Sequence, residues 1–227
     1  MKHTPHHIAM IMDGNRRWAV QHGLPKIKGH SEGAKAIRVM AQAMLDRNIP
    51  YLTLYALSTE NLTNRSEKEL THIFGLIERL PKFLKELTDN DVRIRVIGDM
   101  SKLPKKTQQV LQTMVNETSD HSKLTLTFAI NYGGRDELVR AIQRMIQDNT
   151  INHVSETTLE QHLDTAGYPP LDLIIRTGGK QRLSNFLIWQ AAYTELYFTN
   201  TFWTAFDTKE LDQALSFFDT EERNFGS

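Results

Sequence analysis

The sequence predicts an α/β fold: a single domain with a central, mostly parallel sheet and helices on both faces. Three observations predict it. Short apolar runs alternate with helix-length segments along nearly the whole chain. The runs lack the in–out alternation of a half-solvated strand, as expected of strands buried on both faces. The 227 residues, 40% hydrophobic and 24% charged, suffice for one sizeable core, and no linker, repeat or low-complexity tract divides them. The domain is expected to span 1–227, with residues 1–6 frayed.

Each element follows from local pattern. The run 8–12 reads as a buried strand ending at Asp13-Gly14-Asn15. Residues 31–47 read as a helix with Ala34, Ile37, Ala41, Met44 and Leu45 on one face. A strand at 51–57 leads into Ser58-Thr59-Glu60-Asn61. Residues 66–89 form a long helical stretch bent near Pro81. Its apolar residues, from Leu70 and Ile73 to Leu84 and Leu87, start at helical spacing and then spread round the axis. That pattern fits either a helix buried on two sides or the wall of an apolar tunnel. A strand at 92–97 ends at Gly98-Asp99, a helix follows at 105–118, and a strand at 124–130 runs into Asn131-Tyr132-Gly133-Gly134-Arg135. Helices at 136–147 and 156–165 precede a strand at 171–175 and then Arg176-Thr177-Gly178-Gly179. The rest reads as a helix at 183–193, a short strand at 196–198 and a last helix at 209–223.

Composition excludes several classes. Lys+Arg and Asp+Glu both number 27, so the basic excess of a nucleic-acid binder is missing and no such partner is expected. There is no cysteine, which excludes disulfides, thiolate metal sites and thiol catalysis and fits a cytoplasmic protein. No run approaches the ~18 apolar residues of a membrane span, and 8–12 is too short for a signal-peptide core. The sequons at Asn61, Asn64 and Asn116 read as chance matches. His3, His6 and His7 read as a metal-binding tail or, more simply, as part of a frayed terminus.

In open α/β sheets ligands bind beyond the carboxyl ends of the strands. Here those ends carry Asp13, Gly14, Asn15, Arg16 and Arg17; Ser58, Glu60 and Asn61; Asn131, Gly133, Gly134 and Arg135; and Arg176, Gly178, Gly179 and Arg182. Glycines let backbone N–H groups approach an anion, and arginines offer paired donors to phosphate oxygens. The inference is an anionic, phosphorylated ligand, although loops favour Gly and Asn in any protein. Asp13 is a candidate Mg²⁺ ligand or a turn-capping Asp. His30 is a candidate phosphate donor or an exposed helix-start histidine. The nucleotide motifs G-x-x-x-x-G-K-[ST] and G-x-G-x-x-G are missing, as are H-E-x-x-H and G-x-S-x-G.

Five segments share a family's order. They are Ile11-Met12-Asp13-Gly14-Asn15-Arg16-Arg17-Trp18-Ala19 with Gly29-His30-Ser31-Glu32-Gly33; Leu54-Tyr55-Ala56-Leu57-Ser58-Thr59-Glu60-Asn61; and Asn131-Tyr132-Gly133-Gly134-Arg135. The other two are Asp172 through Gly179, and Arg182-Leu183-Ser184-Asn185-Phe186-Leu187-Ile188-Trp189-Gln190 running into Tyr193 to Phe198. Together, over about residues 7–226, they resemble the cis-prenyltransferases, which include undecaprenyl diphosphate synthase. The absence of D-D-x-x-D, the motif of trans-acting prenyl synthases, agrees.

The resemblance implies a six-stranded, largely parallel sheet with an apolar tunnel, a homodimer, and Mg²⁺-dependent elongation of an allylic diphosphate such as farnesyl diphosphate by isopentenyl diphosphate. The product would be a polyprenyl diphosphate, with undecaprenyl, the cell-wall carrier, as the expected length. The enzyme would be cytoplasmic, touching a membrane surface transiently as product leaves. By resemblance, Gly14, Asn15, Arg16, Arg17 and Lys26 cradle the allylic diphosphate, with His30 near it and Trp18 and Arg65 touching substrate. Asp13 holds Mg²⁺, with Glu195 as second carboxylate. Arg176, Arg182 and Ser184 bind isopentenyl diphosphate, and Ser58 and Asn61 serve the proton-loss step. Ala56, Leu124 and Leu126 are expected along the tunnel.

Four departures stand out. Lys26 replaces the family's Arg, the loop Asn61-Leu62-Thr63-Asn64-Arg65-Ser66 is one residue longer and lacks its Trp and Pro, and Lys180-Gln181 replaces a Glu-His pair. Near the end, Asn224-Phe225-Gly226 replaces Arg-x-Gly, with Arg223 one position early. A non-catalytic supporting subunit and a Mg²⁺-dependent phosphatase are the competing readings. The intact Asp-Gly-Asn and Arg-Thr-Gly-Gly motifs argue against the first.

Overall fold

The computed structural model describes residues 4–148 and 153–221. The elements run β1 (His7–Ile11), α1 (Asn15–Gln21), α2 (Lys26–Asp46), β2 (Tyr51–Ser58), α3 (Thr59–Asn64), α4 (Glu67–Ile77), α5 (Leu80–Phe83), α6 (Lys85–Asp89) and β3 (Val92–Ile97). They continue with α7 (Lys105–Glu117), β4 (Leu124–Tyr132), α8 (Gly134–Gln147), α9 (Glu156–Glu160), β5 (Leu173–Arg176), β6 (Glu195–Phe198) and α10 (Thr208–Thr220). The six strands lie in the order β3-β4-β2-β1-β5-β6, and every neighbouring pair is parallel.

The fully buried strands β1 and β4 explain the unbroken apolar runs. Side chains alternate faces along a strand. Ile8 and Met10 enter the larger core beneath α2, α4, α7 and α10, whereas Ala9 and Ile11 enter a smaller one with Tyr132, Phe186 and Leu187. All strands point the same way, so the loops after β1, β2, β4 and β5 collect at one edge of the sheet.

Three helix expectations need correction. Residues 66–89 form three short helices, α4 to α6. Pro81 has no N–H to give the Ile77 carbonyl, and Arg79 Nε takes the Gly75 carbonyl at 2.8 Å. Residues 156–165 are helical only to Glu160, because the backbone N–H of Asp164 is diverted to Glu137 Oε1 at 3.0 Å. Residues 183–193 are not an α-helix: Ser184, Asn185 and Leu187 have φ of 53°, 64° and 44°, in the left-handed region. Only Gln190–Tyr193 forms a 3₁₀ turn. Of the last expected helix, α10 covers 209–220; Glu221 is already extended (φ −81°, ψ 126°), and 222–223 lie outside the described range.

The N-terminal histidines act structurally where they are described. His6 and His7 each donate a backbone N–H to Asp172 Oδ2, at 2.7 and 3.0 Å. The His7 ring is buried and meets Thr53 Oγ1 at 2.8 Å. His3 lies outside the described residues.

Candidate active site

At the carboxyl edge of β1, β2 and β5 opens a cavity of about 1100 Å³. Its mouth and its depth differ in chemistry. Six cations line it (Arg16, Arg17, Lys26, Arg65, Arg176 and Arg182) against two carboxylates, Asp13 and Glu60. The chain as a whole is neutral, so the positive charge is concentrated where the strands end. The depth is walled by Ala34 and Ile37 of α2, Ala56 of β2, Ile73, Leu76 and Ile77 of α4, Leu80 of α5, and Phe128 and Ile130 of β4. A polar, cationic mouth on an apolar chamber suits an amphiphile with an anionic head.

Asp13 is the hub of the mouth. Its Oδ1 receives Arg17 Nη2 at 3.1 Å and its Oδ2 receives Arg176 Nη2 at 3.0 Å. Thr177 Oγ1 accepts the Asp13 N–H at 3.0 Å and donates to the Asp13 carbonyl at 2.7 Å, fixing the residue from both backbone sides. Gly178, at φ 81°, must be glycine: a Cβ there would lie 3.0 Å from the Asp13 carbonyl carbon and 2.7 Å from Arg17 Nη2. The Arg176 side chain is only 5% exposed. Its Nη1 donates to Ser184 Oγ at 2.8 Å and to the Arg182 carbonyl, and Arg182 Nε reaches the same Ser184 Oγ at 3.2 Å. Arg176 Nε and Asn15 Oδ1 are buried with no partner, so the mouth holds both a spare donor and a spare hard oxygen acceptor.

On the opposite lip, Glu69 gathers two arginines and a histidine. His30 Nε2 and Arg65 Nη1 each stand 3.1 Å from its Oε1, and Arg16 lies 3.9 Å from Oε2. Burial pushes the Glu69 carboxyl up, but the bond from His30 and the charges of Arg65 and Arg16 outweigh it and hold it below the usual range. Burial, seconded by Arg65, lowers His30, so its ring is neutral near pH 7. Ser58, at the end of β2, caps α3 by accepting the Asn61 N–H at 3.1 Å, which brings both residues to the cavity.

Of the residues singled out in the sequence, Asp13, Gly14, Asn15, Arg16, Arg17, Lys26, His30, Ser58, Asn61, Arg65, Arg176, Arg182 and Ser184 all line the cavity. Trp18 does not: its ring stacks on His22 with centroids 4.2 Å apart. Glu195 is not brought to Asp13 within the chain. It opens β6 and pairs with Leu173, three positions before Arg176, on the opposite edge of the sheet. Leu124 and Leu126 are core residues on the amino half of β4, and Phe128 and Ile130 line the cavity instead. Arg223, Asn224, Phe225 and Gly226 lie outside the described residues. Sequence reasoning missed Thr177, Glu69 and Asn185. Thr177 sits inside a motif already singled out, whereas Glu69 follows the lengthened loop and carries no motif signal.

Comparison with known proteins decides the family. The model described as "Putative undecaprenyl diphosphate synthase" matches residues 11–226. The chain belongs to this prenyltransferase family. It is 41% identical to the isoprenyl transferase of Staphylococcus saprophyticus, covering 100% of this chain and 91% of that one. It is 42% identical to the isoprenyl transferase of Treponema denticola, covering 97% of each. Among solved structures, lavandulyl diphosphate synthase from Lavandula x intermedia, in complex with dimethylallyl diphosphate, superposes with a TM-score of 0.94 at 33% identity over 99% of both chains. The "probable undecaprenyl diphosphate synthase" of Campylobacter jejuni gives 0.84 at 34% identity, over 99% of this chain and 100% of that one. Prenyl chain elongation is thus the activity of this prenyltransferase. No described helix is long and apolar enough to cross a membrane.

Proposed function

We propose that this prenyltransferase extends an allylic diphosphate, farnesyl diphosphate or similar, with isopentenyl diphosphate to a polyprenyl diphosphate, undecaprenyl being the expected carrier. The observation that carries the reading is one cavity that combines a cationic mouth with an apolar depth. The dimethylallyl diphosphate held by the lavandulyl enzyme supports an allylic diphosphate here. In the reaction the allylic C1–O bond breaks, the isopentenyl double bond supplies the pair for the new C–C bond, and a C2 proton leaves to give the new cis double bond.

Arg176, Arg182 and Ser184 would grip the isopentenyl diphosphate, and the Gly14–Arg17 segment with Lys26 and Arg65 the allylic one. His30, held neutral, would keep its one N–H on Glu69 and so hold that carboxylate beside Arg65 and Arg16, while Ser58 and Asn61 would face the carbon that loses the proton. Apolar walls would hold the growing tail by about 0.8 kcal/mol per buried CH₂. For Mg²⁺ the donor chemistry fits: Asp13 offers a carboxylate and Asn15 an unpartnered buried oxygen, and Mg²⁺ accepts one or two carboxylates plus phosphate oxygens. Such an ion would neutralise charge on the departing diphosphate. No group of three acidic or histidine residues able to hold a metal occurs among the described residues, so substrate oxygens would complete the shell.

A homodimer is part of the proposal. Val139, Ile142 and Ile146 leave an exposed apolar stripe on α8. The neighbouring turn with exposed Tyr193 is tied to the same helix by Gln190 Nε2 donating to Glu137 Oε2 at 3.1 Å. Transient contact with a membrane surface is proposed because a long polyprenyl product is lipid-like, and a cytoplasmic site is proposed because the cysteine-free composition agrees with one. The test is incubation with Mg²⁺, farnesyl diphosphate and labelled isopentenyl diphosphate. A ladder ending in one dominant long product is expected, and no incorporation with folded protein and several allylic primers would refute the reading.

A further inference from the structure

Three loops of the carboxyl edge meet at one side chain that belongs to none of the groups assigned above. Asn185 follows Ser184 with φ 64°, a conformation that asparagine tolerates better than other side chains. Its Nδ2 donates to Glu60 Oε1, in the first turn of α3, at 3.1 Å. Its Oδ1 accepts the Arg135 N–H at 3.0 Å and its backbone carbonyl accepts the Gly134 N–H at 2.7 Å, both at the start of α8. The fit is close. A Cβ on Gly133 would lie 2.6 Å from Asn185 Nδ2 and 2.9 Å from Thr59 Oγ1. Asn185 and Glu60 both face the cavity. The amide therefore uses its donor on the β2 loop and its acceptor on the β4 loop, and both amide ends are matched to their partners.

We propose that Asn185 is a positioning residue that sets the distance between the diphosphate donors Arg176, Arg182 and Ser184 and the proton-loss region at Ser58 and Asn61. The assignment rests on the proposed isopentenyl condensation. Ser184 is the neighbour of Asn185, and Glu60 sits on the same short helix as Asn61, between the two halves of the site. Since the bonds run to loops and not to substrate, losing them leaves the diphosphate contacts in place and shifts the carbon that must lose its proton. A small misplacement of that kind lowers turnover more than binding.

The experiment compares wild type, Asn185→Asp, Glu60→Ala and the double substitution Asn185→Asp with Glu60→Gln. Asn185→Asp keeps the acceptor for Arg135 but sets a carboxylate against Glu60. Glu60→Ala, at an exposed position, removes the same bond from the other side without touching the β5 loop. The double substitution restores a donor–acceptor pair with the direction reversed. Both single variants are expected to lose tenfold or more in kcat while binding isopentenyl diphosphate within about twofold of wild type. With isopentenyl diphosphate deuterated at C2, their isotope effect on kcat is expected to exceed that of wild type. The double variant is expected to recover most of the lost turnover. Wild-type turnover in Glu60→Ala, no recovery in the double variant, or a kcat loss matched by an equal loss of affinity would each overturn the assignment. A wild type that binds isopentenyl diphosphate but never condenses it would overturn the underlying reaction instead.

Discussion

Arg176 shows how one side chain can organise a site. It is buried, it forks between Asp13 and Ser184, and it still has an unpartnered Nε. Lysine would keep the charge and lose the fork. Losing one charge-assisted hydrogen bond costs about 1.5–3 kcal/mol, so Arg176→Lys should raise KM for isopentenyl diphosphate about 10–100-fold; steady-state kinetics at saturating allylic substrate checks this. His7 supports a prediction of another kind. Burial pulls its pKa from 6.5 down to about 4. Below pH 6.5 the unfolded chain binds a proton that the folded chain refuses, so the stability this group contributes is full above 6.5. It is lost as pH falls through about 4, by about 3 kcal/mol in all. Urea unfolding of wild type and His7→Gln between pH 7.5 and 4 should show the wild type losing more on acidification. Many of the site residues that sequence disclosed stand in the loops after strands, where a motif and the edge of the sheet coincide, whereas Lys26 and His30 lie on α2 and were disclosed by the resemblance. Glu69 and Asn185 stayed hidden because their importance lies in what they touch 39 and 125 residues away.

Elements show the same division. The strands were legible because burial on both faces leaves apolar runs. The segment 183–193 was not, because its left-handed residues are imposed by bonds from Gly134 and Arg135, which no local pattern encodes. The stretch 66–89 left core and cavity wall undecided, and the structure divides it: Ile73, Ile77 and Leu80 do both, while Leu84 and Leu87 serve the core alone. The contact between α1 and α2 depends on Gly29, where a Cβ would sit 2.0 Å from the Asn15 carbonyl oxygen. Alanine normally gains about 1 kcal/mol over glycine inside a helix, but here two backbones would have to part. Overpacking costs about 1–3 kcal/mol, so Gly29→Ala should lower Tm by a few degrees and weaken allylic diphosphate binding more than isopentenyl binding. Calorimetric melting and separate titrations of the two substrates measure both effects.

The whole molecule is neutral yet presents a net positive cavity and an uncovered apolar stripe. The stripe on α8 is the feature that the proposed dimer would cover. Ile146, 75% exposed in the single chain, should tolerate Glu without loss of fold, because surface substitutions rarely move stability by more than about 0.5 kcal/mol. Ile146→Glu is therefore expected to sediment as one chain where wild type sediments as two; an unchanged mass would place the dimer contact elsewhere.

The strand order also sets a timetable. β1 lies between β2 and β5, and Asp13 meets Arg176 across 163 residues of sequence. During synthesis, one side of β1 can zip to β2 early, but its other side must wait for more than a hundred further residues. At about 5–20 residues per second that is on the order of ten seconds. Throughout that wait the nascent chain carries an open, apolar strand edge that invites pairing with a neighbour's. The two halves of the cationic mouth come together only when the chain is nearly finished, so an incomplete chain stalled on the ribosome cannot assemble it.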